Sequence, residues 1–223
     1  VSLTLGGAGV RLHGIPEESP PFIVRLTEDY ALPQQQRPPE ALLVRSAPIP
    51  EGFGLYIFIE GEATLLASLP ADSRAIVLPL SYNYIAGGDI VRIVPRREAI
   101  RVLFRRTSRH NSFLTTERCN NYCLMCSQPP KTADDSWLVD EILSMLPLID
   151  PRTREIGFSG GEPTLLGDQL IRILHACKQW LPATGIHILS NGRRFAEPHY
   201  AATYAAVDHP DIMIGIPIYS DLA

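Results

Sequence analysis

The sequence predicts an α/β protein in two parts, a small all-β domain over residues 1–106 and a partial (βα) barrel over residues 107–223. Before residue 107, short apolar or alternating runs are separated by proline, glycine and acidic turns, with no convincing helical period. After it the texture becomes strand, loop, helix, repeated. Turn motifs in this second half recur about every 30 residues, the length of one βα unit, which places each at the carboxyl end of a strand. In a parallel barrel those ends share one face, where loops from several strands assemble a site.

The first half holds candidate strands at Phe22–Leu26, Ala41–Arg45, Gly54–Ile59, Ala63–Leu69, Arg74–Leu80 and Asp89–Val94. Glu60-Gly61-Glu62 lies between two of them and reads as a hairpin turn. Residues 31–40, interrupted by Pro33, Pro38 and Pro39, read as a polar linker between strands, with Gln34–Gln36 as exposed loop. Short strands with regular turn signals suggest a small β-barrel or sandwich. Arg101, Arg105, Arg106 and Arg109, with His110, make a basic segment at the junction. A solvated strand face is the plainer reading, and attraction of an acidic peptide leader or carboxylate is the functional one.

In the second half Phe113–Thr116 reads as a strand that runs into a cysteine-rich loop. Trp137–Ile149 has helical spacing after an Asp134-Asp135-Ser136 cap, and Glu155–Ser159 is the next strand. Gly160-Gly161-Glu162-Pro163 follows, then a helix over Gln169–Leu181 with Leu170, Ile173, Leu174 and Cys177 on one face. Ile186–Leu189 ends at Ser190-Asn191-Gly192, a helix covers Pro198–Val207, and Ile212–Ile218 is the fourth strand. His175 and His187 lie on regular elements, where packing or surface roles are the ordinary expectation.

At 223 residues, 45% of them hydrophobic and 20% charged, the chain is long enough for two modest domains. A net charge of −4 gives no general reason to expect nucleic acid, and no segment is apolar for long enough to cross a membrane. The opening Val1-Ser2-Leu3-Thr4 lacks the basic start and apolar core of an export signal, and both ends read as trimmed.

Cys119, Cys123 and Cys126 are spaced C-x3-C-x2-C on a single loop. A [4Fe–4S] cluster normally takes four thiolates, so three from one loop leave one iron open to a non-protein ligand. Structural zinc needs a fourth closed ligand, and no second C-x2-C or H-x3-H follows. Three clustered cysteines cannot all pair as disulfides, and Cys177 reads as a buried free thiol on its helix. This cysteine usage points to a reducing cytoplasm.

Together, Cys-Asn-Asn-Tyr-Cys-Leu-Met-Cys, Phe-Ser-Gly-Gly-Glu-Pro and Leu-Ser-Asn-Gly resemble the motifs of the radical S-adenosylmethionine (radical SAM) superfamily. The resemblance implies that Cys119, Cys123 and Cys126 hold a [4Fe–4S] cluster whose open iron binds the methionine moiety of S-adenosyl-L-methionine. Reductive cleavage of that cofactor then yields a 5′-deoxyadenosyl radical. It further implies that Tyr122 packs near the adenine, and that Gly160, Gly161 and Glu162 hold the methionine amino group. Asn191 either faces the cofactor or serves a simple Asn-Gly turn. Pro217 falls where the family often has a ribose-binding serine, which leaves Ser220 as the ribose candidate. The family core has six βα units, so this chain corresponds to the first four.

Within the superfamily the wording is similar to the HxsC maturases of the His-Xaa-Ser repeat system. That likeness implies a small protein substrate with His-Xaa-Ser repeats, a second radical SAM maturase as partner, and an external electron donor. A radical SAM enzyme acting on nucleic acid or a small metabolite, and a non-catalytic iron–sulfur partner subunit, are the alternative readings.

Overall fold

A computed structural model describes residues 5–126, 129–132 and 134–218, and the chain divides into two units, Val1–Thr107 and Ser108–Ala223. In the first unit the strands are β1 (Gly6–Ala8), β2 (Arg11–His13), β3 (Phe22–Thr27), β4 (Glu40–Val44), β5 (Leu55–Ile59), β6 (Ala75–Leu78), β7 (Ile90–Val94) and β8 (Ala99–Phe104). They form one sheet in the order β1-β8-β7-β3-β4-β5-β6-β2. β1 and β2 lie at its opposite edges, yet only Gly9 and Val10 separate them in sequence. Three peptide steps reach about 10 Å at most, so the sheet curls until its edges approach.

The two faces of the sheet bury different cores. Leu26, Leu43, Ile57, Ile76, Val91, Ile93 and Ile100 belong to one, while Leu42, Val44, Tyr56, Phe58 and Val77 belong to the other. Apart from Glu40 at the start of β4, the sequences of β4, β5 and β6 are accordingly apolar, because parallel strands covered on both faces show no alternation. β8 has only one face covered and does alternate, with Ile100, Val102 and Phe104 buried.

One expected strand does not form. Ala63–Leu69 was to pair with Gly54–Ile59 across Glu60–Glu62, but residues Glu60–Ser68 form a 3-10 helix instead. β5 pairs in parallel with both β4 and β6, and a tight hairpin can join only antiparallel strands. The segment is therefore the crossover from β5 to β6, and it lays Ala63, Leu65, Leu66 and Leu69 on the outer core. The mixed, largely parallel centre of this sheet differs from a simple β-barrel or sandwich of hairpins. β1 and β2, three residues each, carry too few apolar residues to be read as strands, and β8, though largely apolar, overlaps the segment read as a basic junction. Gln34–Gln36 is a 3-10 turn within the proline-rich connection from β3 to β4.

The second unit contains β9 (Ser112–Thr116), α1 (Trp137–Met145), β10 (Glu155–Gly160), α2 (Asp168–Trp180), β11 (Gly185–Leu189), α3 (Pro198–Ala205) and β12 (Ile212–Gly215). Its four strands are parallel and adjacent in chain order, forming a curled half-barrel. Phe113, Ile156, Phe158, Ile186 and Ile188 are buried on one face, while Glu155, Gly157, Ser159 and Leu189 on the other retain solvent access. α1 packs on β9, and α1 and α2 on each other, through Leu138, Ile142, Met145, Leu170, Ile173, Leu174 and Cys177. Among the described residues, no helix is long and apolar enough to cross a membrane.

Candidate active site

Because β9 to β12 run parallel, their carboxyl ends meet along one edge, and a cavity of about 720 Å³ opens there. Each strand end contributes to its lining. Cys119, Cys123, Met125 and Cys126 come from the loop after β9, and Ser159, Gly160 and Gly161 from the end of β10. Leu189, Ser190 and Asn191 come from the end of β11, and Gly215, Ile216 and Pro217 from the end of β12. The volume suits a ligand of cofactor size.

Asp135 closes the neck of the cysteine loop. Its Oδ2 accepts from Thr116 Oγ1 at 2.8 Å and from Glu117 N at 2.5 Å, while Arg118 Nε lies 3.3 Å from Oδ1. Lys131 N donates to Glu117 O at 3.0 Å just beyond. The expected cap of α1 is thus divided between two tasks. Asp134 Oδ1 accepts from Ser136 N at 3.0 Å at the helix start, whereas the buried Asp135 turns back to β9.

The paired glycines answer to a close approach of two protein segments. A Cβ on Gly160 would stand 2.2 Å from Thr116 O, and one on Gly161 would stand 2.1 Å from Arg118 O. Gly161 N donates to Thr116 O and Glu162 N to Arg118 O, both at 2.8 Å, which locks the end of β10 against the root of the cysteine loop. Gly160 also has φ +142°, a conformation that L side chains avoid. Pro163 holds Glu162 extended at φ −134°, ψ 102°, as the sequence suggested.

Glu162 is fully buried and does not line the cavity. Its Oε1 accepts from Thr164 N at 3.0 Å, Thr164 Oγ1 at 2.6 Å and Ser190 Oγ at 2.8 Å, and its Oε2 accepts from Asn191 N at 2.6 Å. The carboxylate expected to meet a ligand's ammonium accepts from four donors of the protein itself. Tyr122, expected near an adenine, is 81% exposed and outside the cavity lining.

Asn191 reaches the cavity and also completes a turn. Its Oδ1 accepts from Arg193 N at 3.1 Å, and Gly192 takes φ +77°. Its Nδ2 donates to Asn120 Oδ1 at 2.7 Å, inside the cysteine loop. The sequence marks Asp135 only as part of a helix cap and Ser190 only as part of a turn, and nothing local marks Asn120 or the partners that these three residues meet. Ser220 lies outside the described residues, while Pro217 lines the cavity. His175 is exposed on α2, and His187 Nδ1 lies 3.5 Å from Glu155 Oε1, away from the lining.

All four cysteines are free thiols. Cys177 is buried in the helical layer, where desolvation pushes its thiol up to about 12. The other three share one cavity wall and form a soft donor set suited to iron–sulfur ligation. Among the described residues no three His, Cys, Asp or Glu side chains converge as they would on a single ion. A four-iron cluster places each thiolate on a different iron, so its ligands stand farther apart than those of one ion.

Residues 113–222, within the second unit, match the family model of the radical SAM superfamily. No curated protein and no solved structure matches the chain. That superfamily is one of enzymes, which typically use a [4Fe–4S] cluster and S-adenosyl-L-methionine.

Proposed function

We propose that this chain is a radical SAM maturase that modifies a peptide or small protein with His-Xaa-Ser repeats. The observation that carries the enzymatic part is the meeting of three free thiols with the ends of three further parallel strands around one cavity. Cys119, Cys123 and Cys126 would hold the cluster, while the Gly160–Gly161 backbone and Asn191 would face the methionine moiety. When bound, the cluster and cofactor supply a carbon radical able to remove a hydrogen atom from substrate. Met125, Leu189 and Ile216 give the cavity an apolar wall.

The substrate class rests on the likeness of the motif wording to the HxsC maturases. The proposed division of labour assigns recognition of the protein partner to the separate first unit. A second radical SAM maturase and an external electron donor complete the proposed system, in the cytoplasm. The test is anaerobic reconstitution with iron and sulfide, followed by S-adenosyl-L-methionine, a reductant and a His-Xaa-Ser repeat peptide, with and without the partner maturase. Release of 5′-deoxyadenosine together with a mass change in the peptide is the expected result. Cofactor cleavage with an unmodified peptide in both arms rejects the substrate, and absence of cleavage rejects the enzyme.

A further inference from the structure

The carboxylate of Glu162 has no exposed surface, yet it gathers donors from two strand ends, β10 through Thr164 and β11 through Ser190 and Asn191. Four acceptances fill most of the lone-pair capacity of a carboxylate and hold its plane in place. Asn191 is equally constrained. Its N–H goes to Glu162, and its Oδ1 is identified by the donor Arg193 N, which leaves its amide NH₂ directed at Asn120. Arg193 Nη1 adds a contact to Asn120 O at 3.4 Å. Asn120 is the residue after Cys119 and three before Cys123.

We propose that Glu162 is a positioning residue for the cysteine loop: its buried carboxylate sets the Ser190–Gly192 turn, and Asn191 of that turn holds the loop at Asn120. The inference rests on the reading of Cys119, Cys123 and Cys126 as cluster ligands for its importance, though the relay itself belongs to the protein without a cluster. Asp135 closes the neck of the loop, and the relay from Glu162 holds the chain beside Cys119. Asn191 therefore acts on the cluster site through Asn120, in addition to any contact with the cofactor.

The test uses the whole chain, reduced and free of iron, and follows amide hydrogen exchange over residues 119–126. Asn120→Ala and Asn191→Ala should each speed exchange about three- to tenfold, as loss of one hydrogen bond implies. The double variant should match the larger single effect, because both remove the same link. Asn120→Asp keeps an acceptor for Asn191 Nδ2 and should retain protection close to wild type. Glu162→Gln presents an amide NH₂ to a site of donors and should speed exchange in the same loop, although it lies outside it.

Unchanged loop exchange in a folded Glu162→Gln chain overturns the proposal, as do multiplying effects in the Asn120 and Asn191 pair. If Glu162→Gln does not fold, Ser190→Ala loosens the same turn by removing two of its bonds, Ser190 Oγ to Glu162 Oε1 and Gly192 N to Ser190 Oγ, and the asparagine cycle decides. Iron loading of the wild type is measured in parallel. A wild type that takes up no iron rejects the cluster reading, while the exchange data still report on the relay.

Discussion

Gly161→Ala separates two accounts of the paired glycines, close approach to a ligand and close approach between protein segments. The added Cβ would sit 2.1 Å from Arg118 O and 2.6 Å from its carbonyl carbon, against an ordinary contact of 3.4–4 Å. Neither atom belongs to a flexible side chain, so the end of β10 and the root of the cysteine loop must part by about an ångström or more. That movement breaks the bonds from Gly161 N to Thr116 O and from Glu162 N to Arg118 O. Each is worth about 0.5–1.5 kcal/mol, and forced overpacking adds about 1–3 kcal/mol. A total of about 2–6 kcal/mol is a large share of the about 5–15 kcal/mol that holds a domain folded. Both tryptophans, Trp137 and Trp180, lie on helices of the second unit, so their fluorescence in urea follows that unit selectively. With a urea slope of about 2 kcal/mol/M, the midpoint should fall by about 1–3 M. Gly157→Ala, whose Cβ would meet the Ser112 hydroxyl at 3.3 Å, should cost much less. A Gly161→Ala midpoint equal to wild type, with cofactor binding lost, would refute packing as the reason for this glycine.

Replacing Cys119, Cys123 or Cys126 by alanine should abolish iron uptake of about four atoms per chain, whereas Cys177→Ala should leave it intact. Iron analysis with visible absorbance checks both, and stable zinc without iron would reject the ligand set. The pH dependence should reveal buried acids. Burial raises the Cys177 thiol from 9.0 to about 12 and the Tyr200 hydroxyl from 10.0 to about 12, and it raises Tyr204 also. Above pH 9.0 the unfolded chain releases the Cys177 proton while the folded chain keeps it, so stability is intact below that pH and falls toward about 12. The loss from this thiol approaches about 1.4 kcal/mol per pH unit, read from tryptophan-monitored urea melts. Cys177→Ala should flatten the curve between pH 9 and 10, before the tyrosines contribute. An equally steep fall in that variant would assign the pH dependence elsewhere.

Much of the architecture was legible because its signals are local. β3 to β7 and β9 to β12 coincide with apolar runs, and α1 and α2 follow a 3.6-residue period on the buried face. The hairpin at Glu60–Glu62 was misread because the turn looks alike whether the chain returns beside β5 or crosses over to a parallel neighbour. Short edge strands such as β1 and β2 carry too little pattern to stand out from turns.

By itself the sequence determined the composition of the site: three thiols on one loop, a Gly-Gly-Glu-Pro turn and a Ser-Asn-Gly turn, each at a strand end. Tertiary structure decided what those residues do to one another. It buried Glu162 under donors from the neighbouring strand end, turned Tyr122 outward, set Asp135 at the loop neck, and brought Asn120 to Asn191. The reason is physical. A strand's period and a turn's chemistry depend on residues a few positions apart, whereas the partner of a buried carboxylate depends on which strand ends become neighbours. Only the parallel order from β9 to β12 supplies that neighbourhood.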